Sequence, residues 1–150
     1  VSPTPNSTPS PSENALFLEA KDVHQKYLDQ VLKLEKAGGA DDLPADLQVL
    51  VTGQYKRDVE DSYRKLKSLG TRADEDSVFR VLWVRESPVW GTGVVAIRAC
   101  VDASDVVFQD KNGNTAGHGG TRQDDLEFTR SGSRLVIFDG DSKRVERCSK

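Results

Sequence analysis

The stretch Val94-Val-Ala-Ile-Arg-Ala-Cys100-Val-Asp102 alternates its side chains with a period of two. Val95, Ile97, Ala99 and Val101 share one face, and Arg98, Cys100 and Asp102 share the other. A β-strand with one face on a core reads this way. Just before it, Val78 to Arg85 is a second β-like run in which Trp83 alternates with Phe79 and Val81. The connector Glu86-Ser-Pro-Val-Trp-Gly-Thr-Gly93 reads as a loop. Downstream, Val106 to Asp110 continues as strand, and Asn112-Gly113 is a strong hairpin turn. Further strands are expected around Asp125 to Arg130, Arg134 to Phe138 and, after an Asp139-Gly140 turn, Arg144 to Cys148.

Before Ser77 the period is helical. Leu16, Ala20, Val23, Tyr27, Val31 and Leu34 recur at steps of three and four, with Glu19, Lys26, Lys33 and Lys36 turned away. Ser12 or Asn14 can cap the start, and Gly38-Gly39 stops the helix. A second helix is expected from Asp41-Asp42-Leu43-Pro44, with Leu47, Val51, Tyr55, Val59, Leu66 and Leu69 on its stripe and Gly53 kinking or splitting it. Helices followed by an antiparallel sheet indicate an α+β fold.

Composition narrows the class. The 150 residues carry 21 basic and 24 acidic side chains, a formal −3, with 36% hydrophobic and 30% charged residues. That balance argues against a nucleic-acid partner, which calls for a basic footprint. No run reaches the ~18 apolar residues of a spanning helix. Four of the six prolines fall in the first twelve residues, Val1-Ser-Pro-Thr-Pro-Asn-Ser-Thr-Pro-Ser-Pro-Ser12. Residues 1–14 are expected to form a disordered tether and residues 15–150 a single α+β domain. Exported bacterial lipoproteins carry a tether of this kind directly after the signal sequence or the lipid-bearing cysteine. The expected location is therefore extracytoplasmic, on the outer face of the cell membrane, with membrane contact only through an anchor upstream of Val1.

Cys100 and Cys148 are the two cysteines. Each falls on an alternating face with charged residues, Arg98 and Asp102 for one, Arg144 and Glu146 for the other. A reduced buried thiol belongs on the apolar face, so a disulfide is the better reading. A metal site lacks further ligands near the pair.

The helix with Tyr27-Leu-Asp-Gln-Val-Leu, then Leu50-Val-Thr-Gly53-Gln-Tyr and Leu66-Lys-Ser-Leu-Gly70, resembles the NTF2-like (SnoaL-like) family. Ala99-Cys100-Val-Asp102-Ala-Ser104, the Asp110-Lys-Asn-Gly113 turn and Arg144-Val-Glu-Arg-Cys148 extend the likeness, in particular to small secreted or lipid-anchored proteins of actinobacteria and their phages. The resemblance implies N-terminal helices packed in a strongly curved antiparallel sheet, a cone with a cavity at its wide mouth. It also implies a disulfide between the central and last strands. Members include isomerases and cyclases as well as non-enzymatic binding partners, so the fold alone selects no function.

Candidate chemistry is sparse. His24 lies at the edge of the first helical stripe, with Asp22 and Asp29 near it in sequence, and His118 sits in Ala116-Gly-His-Gly-Gly120. No acid stands among the inward positions of the Val94–Asp102 strand. Gly91-Thr-Gly93 matches a dinucleotide fingerprint only nominally, because β-branched strand comes next instead of a helix. Asp110-Lys-Asn112-Gly113-Asn114 lacks the spacing of a calcium loop. The sequence points to no catalytic residue, metal or cofactor. Pro88, Trp90 and His118 are candidate partner-binding loop residues, and His24, Tyr55 and Trp83 are candidate cavity residues. The expected function is non-enzymatic binding of an envelope protein or small ligand by a bacterial or phage-encoded lipoprotein, in superinfection exclusion or an envelope assembly. The alternative is a small isomerase- or cyclase-type cavity enzyme with a His or Asp base.

Overall fold

The computed structural model describes residues 11–149. The first ten residues of the expected tether lie outside them. Three helices come first: α1 (Pro11–Lys36), α2 (Ala45–Gln48) and α3 (Gly53–Leu69). Seven strands come after them: β1 (Arg72–Ala73), β2 (Arg80–Ser87), β3 (Val95–Asp102), β4 (Val107–Gln109), β5 (Thr115–His118), β6 (Thr121–Ser131) and β7 (Arg134–Arg144). Since α1 already runs through residues 11–14, neither Ser12 nor Asn14 stands at its start. The second expected helix is two helices. Gly53, at φ +60°, supplies the left-handed residue that lets the chain leave α2 and re-enter helix.

The strands form two antiparallel sheets, β2-β3-β6-β7 and β1-β4-β5. This corrects the cone expected from the NTF2-like resemblance: neither sheet is closed or strongly curved. The physical cause lies after β3. The Ala103–Val106 turn, closed by Val106 N–H on the Ala103 carbonyl at 3.0 Å, directs the chain off β3 into its own small sheet. The four-stranded sheet therefore does not continue round the helices.

The core lies between α1, α3 and the inner face of the larger sheet. Ala20, Leu28 and Val31 of α1 meet Ile97, Leu126, Phe128 and Ile137, all nearly inaccessible. Burying each large apolar side chain contributes roughly 1.5–3 kcal/mol before ordering costs. The α2–α3 linker pairs in parallel with β7 (Val51 with Ile137), through Thr52 N–H to Ile137 O and Ile137 N–H to Leu50 O, both 2.9 Å. That covers part of one sheet edge. The opposite edge strand, β2, has no second neighbour among the described residues.

Three strand details differ from expectation. β6 begins at Thr121, four residues before the expected start. β7 runs unbroken through Asp139-Gly140, with Gly140 in register opposite Leu126, so no turn occurs there. Residues 145–149 form no strand; Cys148 is carried by an irregular segment over the outer face of the sheet. The Asn112-Gly113 turn does join β4 and β5, with Asp110 Oδ1 accepting from the Asn112 and Asn114 amides at 2.8 and 3.0 Å.

Cys100 and Cys148 are joined by a disulfide with Cα atoms 5.8 Å apart. As the charged face implied, the bridge stands outside the core, on the side of Arg98, whose Nε donates to Asp125 at 2.6 Å.

Candidate functional site

The inner face of β6 carries the residues that matter. Phe128 and Leu126 point into the core, and the same alternation brings Asp124 and Arg122 to that face. Asp124 stands opposite Ala99 on β3 and Ser142 on β7. The small side chain at 99 leaves room for His24 to descend from α1. His24 Nε2 lies 2.9 Å from Asp124 Oδ2, and both side chains are at most 2% exposed. Ser142 Oγ donates to Asp124 Oδ1 at 2.6 Å and Arg122 Nε donates to it at 3.1 Å. Burial alone pushes the Asp124 carboxyl up, but the His24 bond, the Arg122 charge and the Ser142 hydroxyl outweigh it and hold the group below the ordinary range.

Arg122 continues the network outward. Its guanidinium lies 5.1 Å from the centre of the Phe79 ring. It lines two clefts. The larger, about 350 Å³, is bounded by Tyr27, Tyr55 and Tyr63, by Asp58 and Asp141, and by Ser142. The Tyr27 and Tyr55 rings are 5.8 Å apart, tilted at 56°. Burial pushes the Tyr27 phenol up to about 12, so it stays protonated. The smaller cleft, about 160 Å³, has Glu35, Phe79, Val106, Phe108, Arg122 and Arg144 in its walls.

Glu35 accepts from the Tyr63 hydroxyl at 3.3 Å on Oε1, while its Oε2 is buried without a partner. Burial pushes its carboxyl up to about 6, against the pull of the Arg122 charge and the Tyr63 hydroxyl. A folded-state value above the unfolded one means that the folded protein binds this proton more tightly. The resulting stabilisation is complete below the unfolded value and is lost as pH rises through about 6. Between pH 4 and 8 Glu35 is expected to remove about 2 kcal/mol. Urea unfolding of wild type and Glu35→Gln across that range checks this: the difference between them should open as pH rises from the unfolded value to about 6 and stay level above that, in favour of the variant. Equal pH slopes would contradict it.

The expected site residues are scattered. Tyr55 lines the larger cleft. His24 lines a further cleft of about 300 Å³ with Asp22, Val81 and Val84, but its Nε2 turns to Asp124, an acid a hundred residues away, and not to Asp22 or Asp29. Trp83 faces away from the core. Leu82 is a bulge without a register partner, so Val81 and Val84 both face the core while Trp83 turns outward opposite Cys100. There the Arg85 guanidinium lies 5.4 Å from its ring centre. His118 ends β5, exposed, with Nδ1 2.8 Å from the Gly119 carbonyl. Pro88 is exposed, and Trp90, half exposed, donates through Nε1 to Asp139 Oδ2 at 3.0 Å.

The Gly91-Thr-Gly93 segment lies against β6. A Cβ at Gly93 would fall 2.5 Å from Glu127 Cγ and 2.6 Å from the Phe128 carbonyl. The Gly91 amide donates to Glu127 Oε1 at 2.8 Å. These glycines thus serve close packing on the sheet, the use that a glycine pair has when it precedes a strand and not a helix.

The residues that sequence reading missed are Arg122, Asp124 and Glu35. The signal for the first two was available: Arg122, Asp124, Leu126 and Phe128 alternate strictly. Among the described residues no group of three or more His, Cys, Asp or Glu could hold a metal ion.

No family model and no curated protein matches the chain. Among solved structures, the intermembrane space region of chloroplast protein ARC6 is similar over 86% of this chain and 97% of that one, with a TM-score of 0.56 and 18% identity. At that identity the similarity is one of fold. It replaces the NTF2-like assignment and, with it, the expected likeness to actinobacterial and phage proteins; the lipoprotein expectation rested on the Pro/Ser/Thr-rich first residues, and the fold does not support it.

Proposed function

We propose that this chain is a non-catalytic binding domain that works outside the reducing cytoplasm and engages a protein partner of the cell envelope. The observation that carries this reading is the distribution of exposed apolar side chains. Of the eight large hydrophobic residues exposed among those described, five (Val78, Leu82, Val89, Trp90 and Val94) belong to the segment formed by edge strand β2 and its flanks. Trp90 is held in place by Asp139 and still offers half its surface, the arrangement of an aromatic anchor at an interface. The Cys100–Cys148 bridge supports an oxidising compartment. The fold-related region of ARC6 also occupies a space between membranes. The His24–Asp124 pair, sealed at 1–2% exposure, supplies rigidity instead of a base that substrate could reach.

Capture from the host envelope fraction with the oxidised domain tests the reading. Trp90→Ala and Leu82→Ser are each expected to lower recovery of one specific protein about tenfold, while Leu69→Ser, at an exposed leucine outside this segment, leaves it unchanged. Equal recovery with all three variants would overturn it.

A further inference from the structure

The smaller Arg122 cleft has a chemistry of its own. Arg122 has five N–H donors, and among the described residues only Nε–H donates to protein. The terminal nitrogens are thus left to the clefts that the side chain lines. The second guanidinium, Arg144, reaches the His118 and Gly119 carbonyls only at 3.5 Å. Its Nε lies against Gly120, where a Cβ would come within 2.7 Å. Opposite these cations are the apolar walls Phe79, Val106 and Phe108. The volume, about 160 Å³, equals that of about five waters at ~30 Å³ each. It admits one carboxylate and a short hydrocarbon group.

We propose that this cleft binds a small apolar carboxylic acid, its carboxylate on the guanidinia of Arg122 and Arg144 and its hydrocarbon part against Phe79, Val106 and Phe108. Paired guanidinium donors match a planar carboxylate, and an apolar pocket with a few convergent polar groups is the usual form of a small-ligand site. The buried, unpartnered Oε2 of Glu35 is the one opposing charge. It limits affinity for an anion when ionised and donates to the ligand carboxylate when protonated.

Calorimetric titration of the oxidised protein with benzoate and hexanoate, against benzyl alcohol, hexylamine and inorganic phosphate, tests the site. Benzoate or hexanoate is expected to bind at least about tenfold more tightly than the other three, because a hydrogen bond to a charged group is worth roughly that factor or more. Arg144→Gln, at an exposed side chain, is expected to weaken acid binding about tenfold. Glu35→Gln is expected to strengthen it several-fold at pH 8. Binding by neither acid, equal binding of acids and alcohol, phosphate as good as benzoate, or no effect of Arg144→Gln in a folded variant would each overturn the proposal. Arg122 itself is left unchanged, because its bond to Asp124 is part of the core.

Discussion

Asp124→Ala is expected to destabilise the protein by about 3–5 kcal/mol, the largest loss from any single polar substitution in the larger sheet. The carboxylate collects three partners inside the core: His24, Ser142 and Arg122. Removing it leaves the buried imidazole without its acceptor where water is excluded, and the Arg122 guanidinium, at the edge of its clefts, without its carboxylate partner. A domain of this size has about 5–15 kcal/mol in all, so the variant should be marginal at room temperature. Asp124→Asn keeps an acceptor oxygen for His24 or Ser142 but lacks the charge; an intermediate loss of about 1.5–3 kcal/mol is expected for the charge-assisted component. Urea unfolding in the cold resolves both. The sign with pH is set by the lowered carboxyl. Its contribution is present above the unfolded value near 3.9 and disappears as pH falls through the lower folded one. Losses below about 1 kcal/mol for both variants would mean that the network is not an anchor of the core.

The second large effect is the disulfide. Cys100 and Cys148 are 48 residues apart in sequence, and closing that loop restricts the unfolded chain by about 4 kcal/mol on the chain-entropy model. Cys100→Ser/Cys148→Ser is expected to lose about that much. The loss should also have a location. Outside the bridge, residues 145–149 are held by single contacts such as Ser149 N–H to Gln123 Oε1 at 3.2 Å and the Arg85 guanidinium to the Ser149 carbonyl at 3.4 Å. Amide exchange in the double variant should therefore rise first at residues 145–149 and along the outer face of β3, before the core opens. Uniform exchange, or an unchanged unfolding midpoint, would contradict this.

How much was legible depended on whether a feature was periodic. The change of spacing at Ser77, the stripe of α1 and the Asn112-Gly113 turn are repeated local signals, and each corresponds to an element. The cysteine bridge could be read because Cys100 shares a face with Arg98 and Asp102, not with Ile97 and Val101. What failed broke a period or arose from distant residues. Leu82 inserts one residue and turns Trp83 to the other face. Gly140 looks like a turn but lies inside a strand, packed on Leu126. Thr121 to Asp124 is polar enough to pass for loop, so the start of β6 was missed, and with it the acid on the inner face. Once Asp124 is absent, His24 has no visible partner, because the two meet only through the packing of α1 on the sheet. The curved cone failed for a related reason: loose motifs describe elements, whereas the turn at Ala103–Val106 decides which sheet each strand joins.

The most direct measurement is photo-crosslinking in living host cells, with a photoreactive amino acid placed in turn at positions 82, 90 and 69. A partner-binding surface along β2 and the loop after it should give one discrete adduct, with the same protein, from 82 and 90 and none from 69. Adducts from 69 alone, or a diffuse set shared by all three positions, would contradict a dedicated protein-binding face.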